Sequence, residues 1–126
     1  MKASVDKFHR QAKQEGYRAR SAFKLLDVER DFHIFEGAHN VVDLCAAPGS
    51  WSQVLSATIE SPRTLVSVDL QDIAPIDGVT LVKGDITKGS TAKEVMSHFV
   101  GGKADLIICD GAPDGLEVWS ITTNMQ

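Results

Sequence analysis

The sequence predicts an α/β domain built on a mostly parallel sheet, and three observations carry that expectation. Four short β-branched runs lie at residues 41–45, 65–69, 79–82 and 104–109. Segments of helical pattern or loop composition separate them, and such alternation favours right-handed crossovers between parallel strands. The length, 126 residues, is right for one domain and short for two.

Taken in order, Phe8, Ala12 and Tyr17 give a loose helical stripe that Gly16 ends. Ser21 is placed to cap a helix whose apolar face is Ala22, Leu25, Leu26 and Val28, extending to Phe32. The four runs are apolar and rich in Val, Ile and Leu, so each reads as a strand buried on both faces. Residues 50–58 form a helix after the first strand. Residues 90–100 form another before the fourth, with Ser90 or Thr91 as its cap. Residues 71–78 read as loop because Pro75 breaks any longer helix.

Composition excludes several classes. At 43% hydrophobic and 24% charged, the chain is neither disordered nor collagenous. No apolar run reaches membrane-span length, and residues 1–24 are too polar for a signal peptide, so no membrane partner is expected. Two cysteines, Cys45 and Cys109, are too few for a disulfide framework. At the ends of adjacent strands they read as buried free thiols in a reducing compartment. His9, His33, His39 and His98 have no metal-ligand spacing, so no metal is expected.

The overall charge of −4 conceals an asymmetry. Residues 1–24 carry seven basic and two acidic side chains, a net +5, which leaves −9 on the remaining 102. A basic arm on an acidic body suits a polyanion such as RNA, since Lys and Arg displace counterions from phosphates. Charge alone fits a solvated amphipathic helix equally well.

The chemistry-bearing residues sit where the strands end. The first strand runs into Ala46-Ala47-Pro48-Gly49-Ser50-Trp51, small residues that let backbone approach a ligand ahead of a helix N-terminus. Asp69 ends the second strand 20 residues after Gly49, a spacing at which an acid takes the hydroxyls of an adenosine ribose. Gly84-Asp85 follows the third strand and Asp110-Gly111-Ala112-Pro113 the fourth. Ligands of open α/β sheets bind beyond the carboxyl ends of the strands, so these residues should share one crevice. Neither the G-x-G-x-x-G dinucleotide fingerprint nor a P-loop occurs.

Tyr17-Arg18-Ala19-Arg20-Ser21-Ala22-Phe23-Lys24-Leu25, the stretch from Asp43 to Leu55, Gly84-Asp85-Ile86-Thr87 and Cys109-Asp110-Gly111-Ala112-Pro113-Asp114 resemble the FtsJ/RrmJ-type RNA 2′-O-ribose methyltransferases. Cys45 and Ser50 in the glycine loop are most similar to the eukaryotic subgroup that modifies the tRNA anticodon loop. The resemblance implies a Rossmann-like S-adenosylmethionine-dependent methyltransferase fold, with S-adenosyl-L-methionine as cofactor and tRNA as substrate. It further implies cytoplasmic residence and an auxiliary protein that selects the nucleotide.

By the same resemblance, Gly49 and Trp51 hold the cofactor's methionine end, Asp69 its ribose and Asp85 its adenine edge. Lys24 and Asp110 match the first lysine and the aspartate of the family's Lys-Asp-Lys-Glu tetrad, with Asp110 also at the cofactor. Trp51 could equally be a core residue. Lys7, Arg10, Lys13, Arg18 and Arg20, with Phe8 and Tyr17 interleaved, would face RNA, phosphates positioning and aromatics stacking.

The motif likeness runs from about Asp6 to Asp114. No lysine follows Lys103, and Glu117 lies only seven residues after Asp110, so the tetrad's second lysine and glutamate have no counterpart. The expectation is a single, C-terminally truncated domain whose sheet is incomplete after the fourth strand. It comprises a basic helical region at 1–36, a cofactor-binding core at 37–114 and a divergent tail at 115–126. The fourth strand would then be an exposed edge. Two other readings stand beside the tRNA enzyme: a ribosomal RNA methyltransferase of the same family, and a non-catalytic cofactor- or RNA-binding fragment.

Overall fold

A computed structural model describes residues 16–111 and 115–119. The elements are α1 (Ser21–Phe32), β1 (Asn40–Leu44), α2 (Ser50–Thr58), β2 (Thr64–Asp69), β3 (Val79–Lys83), α3 (Gly89–Met96) and β4 (Leu106–Cys109). All strands are parallel, in the order β3-β2-β1-β4, with Val41 and Val42 of β1 opposite Leu65 and Val66 of β2 and opposite Leu106 and Ile107 of β4.

Successive strand residues alternate between two cores, as the period of two requires. Val41 and Leu65 pack with Leu25 and Leu26 of α1 and Trp51, Val54 and Leu55 of α2. Val42, Leu44, Val66 and Val68 pack on the other face with Ala92, Val95 and Met96 of α3. Helices on both faces make a doubly wound α/β sheet. Each fully buried Leu or Val contributes about 1.5–3 kcal/mol.

Several local expectations need correction. Ser21 is the first residue of α1 rather than its cap; Arg20 occupies that position without a side-chain bond. Ser21 Oγ instead meets Ser50 Oγ of α2 at 2.9 Å. Phe32 is 73% exposed, because α1 ends there and His33 turns left-handed at φ 51°. α3 stops at Met96 instead of residue 100, and neither Ser90 nor Thr91 caps it.

β1 and β2 are the strands buried on both faces. Among the described strands β3 lies at one edge and alternates in burial, while β4 lies at the other edge and is mostly half-buried. Four apolar residues in a row look the same in a sequence whether one neighbouring strand follows or two. Among the described residues, no helix is long and apolar enough to cross a membrane.

Residues 115–119 turn back onto the α3 face. Trp119 is fully buried there, and its Nε1–H donates to the Ile86 carbonyl at 2.8 Å. Gly115 makes the turn at φ +84°, and a Cβ there would sit 2.8 Å from Thr87 Cγ2. Part of the expected divergent tail is therefore core.

Candidate functional site

The sheet order reverses direction between β1 and β4, and this switch point is where open α/β sheets hold ligands. Beyond Leu44 the chain turns through Cys45 at φ 55°. Two bonds then fix the loop: Ala46 N–H donates to the Val68 carbonyl at 3.0 Å, and Ala47 N–H to Asp69 Oδ2 at 2.9 Å. Gly49, at φ +111°, opens α2 in a conformation side chains avoid. The crevice so formed is lined by Ser21, Asp43, Cys45, Ala47, Pro48, Trp51 and Asp110.

Lys24 and Asp110, 86 positions apart in the chain, meet at this crevice. Lys24 Nζ lies 3.6 Å from Asp110 Oδ1, with the lysine 67% exposed. The pair forms because α1 lies over β1 and β4 lies beside β1, which brings the fourth strand's end under the helix.

Asp69 is held as well as placed. Its Oδ1 accepts the Gln71 N–H at 2.9 Å while Oδ2 accepts that of Ala47, so it joins two loops. Asp85 Oδ1 accepts both the backbone N–H (2.9 Å) and the hydroxyl (2.7 Å) of Thr87. These bonds hold its carboxyl below the usual carboxylate range.

Two expected residues have other employment. Trp51 is 8% exposed, and its Nε1–H donates to the Ser21 carbonyl at 2.7 Å. The indole therefore locks α2 to α1, the core role that a tryptophan on an inward helix face allows, and it also lines the crevice. Arg18 was expected at RNA phosphates. Its guanidinium instead donates to the carbonyls of Pro48 (3.0 Å), Ala74 (2.8 Å) and Pro75 (2.9 Å), because the three lie within reach of one planar fork.

Tyr17 packs edge-on against Phe23, centroids 6.3 Å apart, and joins the α1 core rather than standing out to stack on a base. Arg20 is exposed at the start of α1. Lys7, Phe8, Arg10 and Lys13 lie outside the described residues.

Sequence reasoning missed Asp43. It is buried beneath the first turn of α2, where it accepts the Ser52 hydroxyl at 2.6 Å, and Ser52 Oγ also bonds Ser67 Oγ. Burial pushes Asp43 up to about 7 against the opposing Ser52 bond, and the nearby Asp110 and Asp69 carboxylates add to the rise. The signal was present: one acid within Val41-Val42-Asp43-Leu44.

Cys45 and Cys109 are half-buried rather than fully buried, and their thiols are hydrogen-bond neighbours. Burial raises both, Cys109 to about 11, so both remain protonated at neutral pH.

Of the acids expected to share one crevice, Asp110 lines it together with the buried Asp43, whereas Asp69, at the end of β2, and Asp85, beyond β3, are not among its lining residues. An acidic lining repels a pyrophosphate and suits a ligand with a cationic centre. A doubly wound parallel sheet with a crevice at its switch point defines a Rossmann-like fold.

Comparison narrows the class. The family model for FtsJ-like methyltransferases matches residues 17–125, past Asp114, and the chain belongs to that family. It is 53% identical over 123 residues to the human tRNA (cytidine(32)/guanosine(34)-2′-O)-methyltransferase, covering 96% of this chain and 37% of that protein. It is 41% identical over 123 residues to ribosomal RNA large subunit methyltransferase E of Nitrosospira multiformis, covering 96% of this chain and 60% of that one. The crystal structure of a ribosomal RNA methyltransferase from Plasmodium falciparum superposes with a TM-score of 0.64 at 27% identity, over 77% of this chain and 57% of that one. The chain spans less than half the length of the tRNA-methyltransferase relatives it matches, 45% and 37% for two of them.

Proposed function

We propose that this chain serves S-adenosylmethionine-dependent 2′-O-methylation of RNA ribose, with the tRNA anticodon loop as target. One observation carries the chemical part: Lys24 Nζ stands 3.6 Å from Asp110 Oδ1 beside an acid-lined crevice at the switch point. Identity to relatives named as tRNA methyltransferases, above that to the ribosomal RNA enzymes, supports the choice of tRNA.

The donor set fits the cofactor. Asp69 takes ribose hydroxyls, Asp85 the adenine edge, and the backbone around Gly49 the methionine end. When bound, S-adenosylmethionine supplies a methyl group on a cationic sulfonium. The chain's own residues orient the acceptor. A ribose hydroxyl is a weak acid and must be held in line, and the Lys24 ammonium, fixed by Asp110, can hydrogen-bond it and steer the adjoining phosphate. Lys7, Arg10, Lys13 and Arg20 in the basic region 1–36 would hold the RNA backbone, next to the core at 37–114 and the tail at 115–126. Cytoplasmic residence and an auxiliary subunit that selects the nucleotide belong to the same proposal.

The test is to titrate the chain with S-adenosylmethionine by calorimetry and to follow labelled methyl transfer to unmodified tRNA. Binding with transfer to tRNA in preference to ribosomal RNA is expected. Binding without transfer would select the second reading, a non-catalytic cofactor-binding chain. Asp85→Ala should weaken cofactor binding about tenfold, the loss of one good hydrogen-bonding partner.

A further inference from the structure

We infer that Arg18 is a positioning residue of the cofactor crevice: it clamps the glycine loop to the 71–78 loop and does not bind RNA. The inference rests on the crevice being the cofactor site proposed above. Arg18 Nη1 donates to the Pro48 carbonyl at 3.0 Å and the Ala74 carbonyl at 2.8 Å, and Nη2 to the Pro75 carbonyl at 2.9 Å. Its backbone N–H donates to Gln53 Oε1 of α2 at 2.9 Å. One residue thereby ties the glycine loop and the start of α2 to the 71–78 loop.

The grip has a counterpart on the same turn. Asp69 accepts the Ala47 N–H at 2.9 Å, and one residue later Arg18 takes the Pro48 carbonyl. A carboxylate and a guanidinium thus hold adjacent residues of the loop by groups of opposite polarity.

Close packing adds to the coupling. A Cβ on Gly49 would lie 2.8 Å from Ile76 Cδ1, 2.9 Å from Arg18 Nη1 and 3.3 Å from Ile73 Cγ2. The glycine loop, the arginine and the second loop therefore leave one another no spare room, and displacing one displaces the others. Because Asp69 lies between these loops, the clamp sets where the ribose-binding carboxylate meets the methionine-binding backbone. Three of the five guanidinium N–H donors are spent on carbonyls in a fixed fork, which holds the side chain against the loops.

The test compares wild type with Arg18→Ala and Arg18→Lys in the full 126-residue chain. Hydrogen exchange should rise together in peptides covering 46–50 and 71–79 of Arg18→Ala, at least about fivefold, as the shared restraint is lost. The peptide covering α3 should be unchanged, and Arg18→Lys should fall between, since an ammonium lacks the planar fork. Affinity for S-adenosylmethionine, measured by equilibrium dialysis, should drop about tenfold or more, with tRNA affinity by filter binding unchanged within about twofold.

Exchange that rises in one loop only, or in neither, overturns the clamp. So does a tRNA affinity that falls while cofactor affinity holds. Should the wild-type chain not bind S-adenosylmethionine, the cofactor reading fails while loop exchange still decides the clamp. If Arg18→Ala does not fold, Arg18→Lys carries the same comparison.

Discussion

The two faces of the sheet are held by different forces. On the α3 face, Val42, Leu44, Val66, Val68 and Val82 meet Ala92, Val95, Met96, Phe99 and Trp119, an apolar layer in which the Trp119 indole makes a hydrogen bond to Ile86. On the α1–α2 face, hydrogen bonds thread the packing: Trp51 to Ser21, Ser21 with Ser50, Ser52 to Asp43, and Arg18 to Gln53. Apolar contact is strong but directionless, whereas hydrogen bonds fix orientation at a modest net gain of about 1 kcal/mol each. The face carrying Lys24 and the glycine loop is the one that needs fixed angles, so the molecule divides stability from geometry by face.

The sharpest way to break this division is Trp119→Ala. Emptying that site should cost about 3–5 kcal/mol in chemical denaturation. In the folded fraction, cofactor affinity should be unchanged, and a parallel loss of affinity would show that the two faces are not separable.

Asp43→Asn should have the next largest effect, and its sign depends on pH. The native carboxyl titrates at about 7 against 3.8 in a free side chain, so the folded state holds the extra proton between those values. Wild-type stability is then full below about pH 4 and declines as pH rises through 7, by up to about 4 kcal/mol for a shift of this size. The asparagine variant should lose that slope and overtake wild type above pH 7 in urea denaturation. Identical pH profiles for the two proteins would remove Asp43 as the source.

Trp51→Phe keeps the ring but deletes the bond to Ser21, at an expected cost of about 1 kcal/mol. Because that bond sets α1 against α2, cofactor affinity should fall along with stability, unlike in Trp119→Ala. Lys24→Met should be smallest on stability, below about 0.5 kcal/mol, as befits an exposed ion pair. Any methyl transfer by the chain should nevertheless be lost, a split visible only if thermal melting and transfer are measured on the same sample.

Much of this architecture was legible because its signals are local. β-branched runs at 41–45 and 65–69 mark strands whatever surrounds them, and the acid or glycine ending each run marks the ligand side of a parallel sheet. Lys24 and Asp110 were legible through the motifs around them. Helix ends were less so, since α3 stops where Phe99 folds into the core and not where the helical pattern fades.

Arg18 and Asp43 show why the remainder was hidden. In sequence, Arg18 is one more cation in a basic stretch, and only the arrival of Pro48, Ala74 and Pro75 turns it into a clamp. Asp43 is one more polar residue until α2 closes over it and water is gone. Trp119 likewise sits in an unremarkable tail until it packs against α3 and reaches the Ile86 carbonyl.

The α/β alternation, the strand ends that carry the acids, and the charge asymmetry between residues 1–24 and the rest are written in the order of the residues. Each of these depends on residues close together in the chain. Tertiary structure alone decided the order of the strands, which cation was consumed internally and which carboxylate held its proton. Each of those depends on groups brought together from distant positions, and on the exclusion of water that follows.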